Sequence, residues 1–471
     1  MVVKCDKSTT FEDCELAILR AAVDNIETKT HKDLLQNDSI KKMIEIVEDF
    51  IVKTKCVCYG GTAINNILPL HAQFYNKDVE FPDYDFYSPN ALKHAKELAD
   101  EYHKQGYEEV EAKSGLHTGT YKVFVNFLPV ADITQMNHNL FRNIQKESLM
   151  IRDILYCPPN FLRMSMYLEL SRPKGDVSRW EKVLKRITLL NKHYPLKSNS
   201  CSFQNVQRIF ENQKYPSEEI YKIIRNVFIQ EQVVFFGAMA HRSYAQYMPK
   251  NVKHGLKKIP DFDVLSENPV HTVGILKSKL QESNIKNVSI KKHSNVGEII
   301  STHYEVKIDN DTIAFVYEPL SCHSYNEISI EKRKTRIATI DTMLSFYLAF
   351  LYSNRPYYNI DRILCMCEYL FKVQQKNRLS QNGLLRRFSM KCVGYQKTME
   401  DIRIDKSDLF YKLKFNRSSK EYEKHFLRYS PNQNLKIRKP IQKTVKKTGV
   451  KKKKHKTKKK SGLSRIISWL Y

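Results

Sequence analysis

The chain has 471 residues, enough for about three domains of average size. Apolar residues make up 42% of it, and 78 Lys and Arg residues against 51 Asp and Glu residues give a net charge of +27. This excess favours a polyanionic partner. The longest nearly apolar stretch, residues 343–352, is about half the ~20 residues of a membrane-spanning helix and predicts a buried helix instead. With neither a signal nor a transit peptide at the N-terminus, we expect an intracellular protein with no transmembrane segment.

The first elements along the chain are predicted from apolar spacing. Residues 11–52 have the period of helices, and residues 55–59 predict a short strand that ends at Gly60-Gly61. Thr62 then begins a short helix, which Pro69 ends.

Two further strands and two helices are predicted downstream. The alternating run 82–87 predicts a strand, residues 91–103 a helix, and residues 121–133 one more strand with Asp132 near its end. Ser178 and Glu181 have the spacing of a capping box, which predicts the start of a helix at this point.

Two of these segments recur later in the chain, in the same order. Tyr59-Gly60-Gly61 returns as Phe236-Gly237-Ala238, and Pro82-Asp83-Tyr84-Asp85 returns as Pro260-Asp261-Phe262-Asp263. This repetition predicts two related modules. We expect a helical N-terminal segment 1–45, a first module 46–197, a second module 198–430 and a tail 431–471.

The two modules differ in their chemistry. In the second copy Ala238 and Met239 replace the second glycine and the threonine, so its turn should bind a triphosphate poorly. Asp261 and Asp263 then remain as relics, and Glu318 is expected at the position of Asp132. We therefore expect catalysis in the first module and a structural or RNA-holding role in the second.

Three acids of the first module indicate a metal site. Asp83 and Asp85 are two residues apart, so in a strand they share one face, and Asp132 on a neighbouring strand can approach them. Clustered carboxylates repel one another unless a cation neutralises them. Oxygen ligands suit a hard divalent ion such as Mg²⁺, and two such ions would support transfer of a phosphoryl-type group.

The glycine turn complements these acids. Backbone N–H groups at Gly60, Gly61 and the helix start can bind the phosphates of a nucleotide. Arg179 and Lys182, on the later helix, either face those phosphates or form a solvated basic face. GxxxxGK[ST] and GxGxxG are both absent, which argues against a P-loop and a dinucleotide-binding fold.

The ten cysteines form no CxxC pair, so we expect neither a zinc site nor a dense disulfide framework. The close pairs Cys56/Cys58 and Cys365/Cys367 are expected to be small buried apolar side chains.

Most of the basic excess lies near the C-terminus. Residues 436–460 contain 14 Lys and Arg residues and no acid, which predicts a disordered basic tail. It is either a solvated run, of the kind found in nuclear localisation signals, or a sequence-independent RNA tether. In the second case Lys451, Lys452, Lys453 and Lys454 bind RNA. The apolar segment 463–471 remains unassigned.

Together these motifs resemble a known family. The order of the glycine pair, the two close acids and the third acid is similar to the nucleotidyltransferase superfamily of DNA polymerase β type. CYGGTAINNILP, FPDYDFYSPNA, FLPVADIT and MYLELSRPKGDVSRWEKVLKRITLLNKHYP resemble, more closely, the poly(A) polymerase catalytic subunits of large nucleocytoplasmic DNA viruses, of mimivirus and asfarvirus type. The resemblance covers most of residues 46–197.

The resemblance implies an α+β fold with two tandem nucleotidyltransferase-like modules, each a mixed sheet with flanking helices. The implied activity is that of a polynucleotide adenylyltransferase, which adds AMP from ATP to the 3′ end of mRNA without a template and releases pyrophosphate. Gly60, Gly61 and Thr62 would contact ATP, and Asp83, Asp85 and Asp132 would hold two Mg²⁺ or Mn²⁺ ions. The family is also expected to act in the host cytoplasm or the virion, as a homodimer or with a processivity subunit.

Two other functions stay open. One is a terminal nucleotidyltransferase that adds U, C or CCA, because the residues that choose the base are not evident in the sequence. The other is a non-catalytic RNA-binding scaffold of two degenerate modules.

Overall fold

The computed structural model describes residues 10–12, 14–19, 21–23, 38–75, 82–198, 201, 210, 214–247 and 261–434. Within them the chain forms two eight-stranded mixed sheets with flanking helices, which confirms the predicted α+β fold. Over the same residues, every helix is too short or too polar to cross a membrane. Lys451, Lys452, Lys453 and Lys454 lie outside the described residues.

The first sheet and its helices are built mainly from residues 38–193, with one strand from the end of the described chain. The elements are α1 (Asp38–Thr54), β1 (Val57–Cys58), α2 (Gly60–Ile67), β2 (Tyr84–Ser88), α3 (Ala91–Lys104), β3 (Val110–Ser114), β4 (Thr120–Val125), β5 (Leu128–Gln135), α4 (His138–Glu147), β6 (Leu149–Ile151), β7 (Ile154–Tyr156), α5 (Pro159–Leu170) and α6 (Trp180–His193).

The second sheet follows after residue 214. Its elements are α7 (Ser217–Gln230), β8 (Val234–Phe235), α8 (Ala238–Tyr244), β9 (Phe262–Leu265), α9 (Pro269–Glu282), β10 (Val288–His293), β11 (His303–Ile308), β12 (Asp311–Tyr317), β13 (His323–Ile330), β14 (Arg333–Ala338), α10 (Ile340–Phe350), α11 (Ile360–Lys376) and β15 (Cys392–Val393). Helices α12 (Met399–Leu413) and α13 (Lys420–Phe426), strand β16 (Arg428–Tyr429) and the short helix α14 (Pro431–Asn434) complete the described chain.

The two sheets have the same strand order. The first is β3-β4-β5-β2-β1-β7-β6 and the second is β10-β11-β12-β9-β8-β14-β13. Each neighbouring pair also has the same direction in both sheets. The extra strands β16 and β15 join opposite ends, next to β3 and β13. The sequence repeat therefore corresponds to a repeat in topology.

Apolar spacing explains the helices that cover the sheets. Helix α3 buries Ala91, Ala95, Leu98 and Tyr102, three or four residues apart, as predicted for residues 91–103. Helix α10 is buried along its whole length, which confirms the predicted buried helix. It packs against α5, which follows the first sheet as α10 follows the second. A hydrogen bond also joins the two modules, since the Ser324 N–H donates to the Ser171 carbonyl at 2.9 Å.

Residues 121–133 are not one strand, as the sequence suggested, but the hairpin β4–β5. Asn126 and Phe127 form its two-residue turn with φ values of 49° and 66°. Positive φ at both turn residues is typical of the tight turn that matches strand twist. Asp132 therefore lies on β5, the second strand of this hairpin, and β4 is a neighbouring strand in the sheet.

The end of the described chain returns to the first sheet. Strand β16 pairs antiparallel with β3, and the Tyr121 hydroxyl donates to the Lys424 carbonyl at 2.9 Å. These residues close the edge of the sheet at β3. The boundaries 1–45, 46–197, 198–430 and 431–471 stay a prediction.

Two disulfides lie among the described residues, Cys201–Cys365 and Cys322–Cys392. Cys365 is buried, as expected, but its disulfide was not predicted, because its partner is distant in sequence and only the fold brings it close. Cys56, Cys58 and Cys367 are free and buried, as expected.

Candidate functional site

A cleft of about 1120 Å³ lies beside the first sheet. It is bordered by α1, the glycine turn, the start of β2, the β6–β7 hairpin and the start of α6. Every predicted site residue in the described part of the chain contributes to its lining: Gly60, Gly61, Thr62, Asp83, Asp85, Asp132, Arg179 and Lys182. The fold thus brings together residues more than a hundred positions apart.

The three acids come from two neighbouring strands. Strands β2 and β5 are parallel, and Asp85 lies directly opposite Asp132 in their register. Asp83 precedes β2 by one residue, so it shares a face with Asp85. Parallel pairing at this register is what converts separate motifs into one acidic cluster.

Burial and crowding raise the pKa of two of these carboxyl groups, Asp83 and Asp85. Burial, then the charges of Asp83 and Asp132, raise the pKa of Asp85 to about 7, while Lys122 and Arg179 act in the opposite sense. Burial and the charge of Asp132 also raise the pKa of Asp83. The cluster therefore favours a bound cation near neutral pH.

Lys122 supplies one positive charge to the cluster. It is the register partner of Asp132 across the β4–β5 hairpin, and its Nζ lies 2.5 Å from Asp132 Oδ2. The other oxygen, Asp132 Oδ1, is buried and accepts no hydrogen bond from the described residues. A buried carboxylate oxygen without a donor is the kind of atom that a cation would satisfy.

The acids fit a divalent metal by their chemistry, although their side chains are not assembled around a common point. No three His, Cys, Asp or Glu side chains of the described residues are grouped closely enough to surround one ion. Asp83, Asp85 and Asp132 nevertheless offer only hard oxygen donors, as Mg²⁺ and Mn²⁺ require. Asp132 Oδ1 is the atom that has room for such a ligand bond.

The glycine turn is held against the acids. Gly60 has φ +75°, and a β-carbon at this position would collide with the Asp85 carboxylate. The Tyr59 N–H donates to the Asp85 carbonyl at 2.9 Å. A β-carbon at Gly61 would collide with the side chains of Tyr75 and Arg186. Glycine is thus favoured at Gly60 by both backbone conformation and space, whereas a β-carbon at Gly61 would require the ends of two side chains to shift.

Thr62 occupies a supporting position. Its side chain is buried, and its hydroxyl donates to the Asp83 carbonyl at 2.8 Å. This bond ties the first turn of α2 to the residue that begins the acidic strand. The predicted contact between Thr62 and ATP remains a prediction.

The start of α6 places basic side chains at the cleft. Arg179 is half exposed and lies 3.3 Å from Glu169, and Lys182 is exposed at the same edge. Arg186, one turn beyond Lys182, donates to the Tyr75 hydroxyl at 2.6 Å and lines the cleft. The i, i+4 spacing of Lys182 and Arg186 was the signal for Arg186 that sequence reasoning missed.

The predicted capping box at Ser178 and Glu181 is wrong. Asp176 accepts from the Ser178 N–H at 3.2 Å, and Glu181 pairs instead with Lys185 at 2.6 Å. A short 3₁₀ turn over Val177–Arg179 precedes α6, so Ser178 is not at the helix start.

The second sheet has lost the third acid. Asp263 lies opposite Phe315 in the register of β9 and β12, as Asp85 lies opposite Asp132. Phe315 is fully buried and packs on Tyr357, with ring centroids 5.0 Å apart. The expectation that Glu318 replaces Asp132 is therefore wrong, because Glu318 is exposed and follows the end of β12.

Gly237, the glycine of the second turn, approaches an acid closely, as Gly60 does in the first turn. A β-carbon at Gly237 would collide with Asp263, as one at Gly60 would with Asp85. This close approach occurs in both sheets although the backbone differs, with φ +75° at Gly60 and −82° at Gly237, and although the acid cluster is present in the first sheet alone of these two. Only the first sheet has a complete set of three acids at this place.

Comparisons with known proteins agree with this geometry. Residues 45–176 match the model of the poly(A) polymerase catalytic subunit family. A protein of African swine fever virus (strain Badajoz 1971 Vero-adapted), described as a poly(A) polymerase catalytic subunit, is 34% identical over 163 residues. One of Acanthamoeba polyphaga mimivirus with the same description is 24% identical over 302 residues. The predicted resemblance is therefore confirmed.

The extent of these matches differs. The asfarvirus match covers 33% of this chain and 34% of its relative, and the mimivirus match covers 59% and 51%. The crystal structure of Megavirus polyadenylate synthase matches with a TM-score of 0.74 and 22% identity, over 93% of this chain and 90% of that one. This last likeness shows the fold.

Proposed function

We propose that this chain is a poly(A) polymerase, which transfers AMP from ATP to the 3′-hydroxyl of mRNA without a template and releases pyrophosphate. The observation that carries the proposal is the meeting of Asp83, Asp85 and Asp132 with the Gly60-Gly61 turn in one cleft. These three acids and the glycine turn lie within residues 45–176, the segment that matches the poly(A) polymerase family model.

A divalent metal is part of the proposal. Asp83, Asp85 and Asp132 would hold two Mg²⁺ or Mn²⁺ ions, and Asp132 Oδ1 is the buried oxygen with no other donor. Bound ions would neutralise charge on the phosphates and favour attack by the RNA hydroxyl. Burial, and then repulsion from Asp83 and Asp132, raise the pKa of Asp85, and a bound cation would relieve that repulsion.

The chain itself contributes binding and orientation of the triphosphate. The first turn of α2 lines the cleft and receives no capping hydrogen bond from the Tyr59 side chain, so its N–H groups would be able to bind phosphate oxygens. Arg179, Lys182 and Arg186 line the same cleft and would attract phosphate oxygens. Fixing the leaving pyrophosphate in this way orients the α-phosphate toward the acids.

The alternative nucleotidyltransferases share this geometry. Addition of U, C or CCA would use the same acids and turn, and the choice of base depends on contacts with the base itself. The scaffold alternative predicts no turnover of nucleotide at all.

Primer extension tests the proposal. A labelled RNA oligomer is incubated with the chain, Mg²⁺ or Mn²⁺ and each nucleoside triphosphate separately, beside Asp83→Asn/Asp85→Asn. We expect long products with ATP alone, and none with the double variant.

The matched control is Asp261→Asn/Asp263→Asn, the same substitutions in the second sheet. Its products should be as long as those of the wild type once its folding is verified by circular dichroism. Long products with a different nucleoside triphosphate would show that the chain adds a base other than A. If the folded protein binds RNA but does not extend it, the scaffold function is favoured. Equal loss in both double variants would contradict the assignment of catalysis to the first sheet.

A further inference from the structure

A second cleft, of about 690 Å³, lies beside the second sheet. It is bordered by the end of α7 and by the β13–β14 hairpin. In the first module the corresponding elements, α1 and the β6–β7 hairpin, border one end of the cleft that holds the acids. The two clefts are therefore related by the same repeat as the two sheets.

Strand register gives the equivalent residues of the hairpins. Leu155 pairs with Val57 in the first sheet, and Arg336 pairs with Val234 in the second. Counting back two residues along each hairpin places Lys334 at the level of Asp153 in the sheet, although Asp153 is in the turn of its hairpin and Lys334 is on β14, because the second hairpin is longer.

The helices before the sheets correspond in the same way. Lys55 and Gln232, each two residues before the first paired strand residue, both have positive φ values, of 52° and 53°. Counting back from them makes Arg225 the equivalent of Glu48 and Asn226 the equivalent of Asp49.

The charge at this place differs between the modules. In the first cleft these positions carry three acids, Glu48, Asp49 and Asp153. In the second cleft Asn226 and Lys334 stand in the lining in place of Asp49 and Asp153. Arg225, in place of Glu48, lies outside the lining and forms a two-pronged pair with Glu331 on the hairpin. A lining with an amide and a cation in place of two carboxylates is suited to an anion rather than to a metal.

Exposed basic side chains border the second cleft and can contact a ligand. Arg333 and Lys334 are exposed, and Arg333 donates to Asn226 Oδ1 at 3.2 Å across the cleft. Arg336 is fixed by Gln232, whose carbonyl accepts at 2.9 Å. Glu327, also in the lining, is paired with Lys391 and lies 3.9 Å from Arg336, so its charge is compensated.

We propose that this second cleft binds the phosphate backbone of single-stranded RNA. The proposal rests on the proposed function, since it takes RNA as the substrate of the chain. The second module would then hold the RNA while the first, with its three acids, carries out the chemistry. Backbone binding by exposed Lys and Arg side chains is independent of sequence, as a homopolymer product requires.

The test compares two double variants of the full chain. Arg333→Ala/Lys334→Ala removes exposed charges from the cleft, and Lys291→Ala/Lys292→Ala removes two exposed charges from β10, at the far edge of the same sheet. Both lose the same net charge. Fluorescence anisotropy with a labelled A20 RNA is measured from low to moderate NaCl.

We expect the cleft variant to bind RNA about tenfold more weakly at low salt. Its slope of log K against log salt should be less steep by about 1.4, from two lost contacts at ~0.7 each on a single strand. The β10 variant should keep the wild-type slope. Equal slopes in all three proteins, or equal losses in both variants, would overturn the proposal.

The same preparations separate this proposal from the proposed function. If wild-type protein extends RNA with ATP and the cleft variant binds RNA normally, only the RNA-binding surface is refuted. If no nucleotide is added but the cleft variant loses RNA binding, the surface stands and the polymerase does not.

Discussion

Asp132 and Phe315 occupy the same register position in two sheets of identical strand order. The register partners of these two residues also differ: Lys122 on β4 lies opposite Asp132, and Glu305 on β11 lies opposite Phe315. The basic partner is thus present where the third acid is present. In the second sheet the ring of Phe315 occupies this position, so that neither an acid nor space for an ion is left there.

Replacing Phe315 with Asp should destabilise the chain without creating a second active site. The ring is fully buried, so the variant loses apolar contacts and buries an unpaired charge. We expect the free energy of unfolding to fall by about 3 kcal/mol or more. Urea denaturation measures the change, and Phe315→Leu, which keeps the site apolar, should cost about half as much or less. Wild-type stability of Phe315→Asp would contradict the packing described here.

Gly60→Ala should abolish nucleotide addition. The new methyl group would collide with the Asp85 carboxylate, and the residue would also be strained at φ +75°. Gly106 separates these two effects, because it has φ +94° but open space around its missing β-carbon. Gly106→Ala should therefore lower the melting temperature and leave primer extension unchanged. Full activity of folded Gly60→Ala would show that the close approach to Asp85 is unimportant.

Lys122→Met should slow nucleotide addition by about tenfold, a change of about 1.4 kcal/mol in the barrier. The substitution leaves Asp132 Oδ2 without its partner and the acidic cluster without one nearby charge. Single-turnover extension at saturating ATP and RNA measures the rate, and Lys122→Arg should recover most of it. Lys113→Met, at the register position beside Lys122 on β3, is the matched control. If Lys113→Met slowed addition equally, the effect of Lys122→Met would come from the loss of any positive charge in this region and not from its contact with Asp132.

Asp85→Asn should stabilise the metal-free chain at alkaline pH. Because the pKa of Asp85 is raised to about 7, the folded state keeps a proton that the unfolded chain has already released. The free energy of unfolding therefore falls as the pH rises from about 4 to about 7, and replacement with the neutral amide removes this loss. We expect a gain of roughly 1–3 kcal/mol at pH 8 and little change at pH 4.5.

Chemical denaturation in EDTA at both pH values measures this difference. Asp408→Asn, which replaces an exposed acid on α12, should show no such pH dependence. A gain that is the same at both pH values would show that repulsion in the acidic cluster is not its cause.

Loss of the Cys322–Cys392 disulfide should weaken the second sheet. The bond joins residues 70 positions apart and attaches β15 to β13. We expect Cys322→Ser/Cys392→Ser to lower the free energy of unfolding by about 2–4 kcal/mol. Primer extension at 25 °C should be retained, because the acids lie on the other sheet. Identical stability of wild type and variant without reductant would show that the bond contributes nothing.

Local motifs made much of the site predictable. The Gly60-Gly61 turn and the Asp83 and Asp85 pair are each encoded within a few residues, and their repetition predicted the second sheet. The expectation that Asp132 lies on a strand beside this pair agrees with the register of β2 and β5, although the apolar run 121–133 is two strands and not one. All three acids line the same cleft in the structure.

Features that depend on pairing between distant segments were not predictable in this way. Lys122 is recognised only once the β4–β5 hairpin is known, and its Asn126-Phe127 turn lacks the glycine that usually marks such a turn. The equivalence of Asp132 with Phe315 rather than Glu318 depends on strand register, for which the sequence has no local signal. The same holds for Cys201 and Cys365.

Strand β16 determines which module the remainder of the chain is attached to. Because β16 pairs with β3, and Asn432 donates to the Glu108 carbonyl at 2.9 Å, the polypeptide leaves the described structure beside the first sheet. The basic run 436–460 therefore follows in sequence from the strand that pairs with the first sheet, although the second module precedes it in the chain. Any RNA bound by that run would have a raised effective concentration at the cleft with the three acids, so that each released 3′ end is recaptured before it diffuses away.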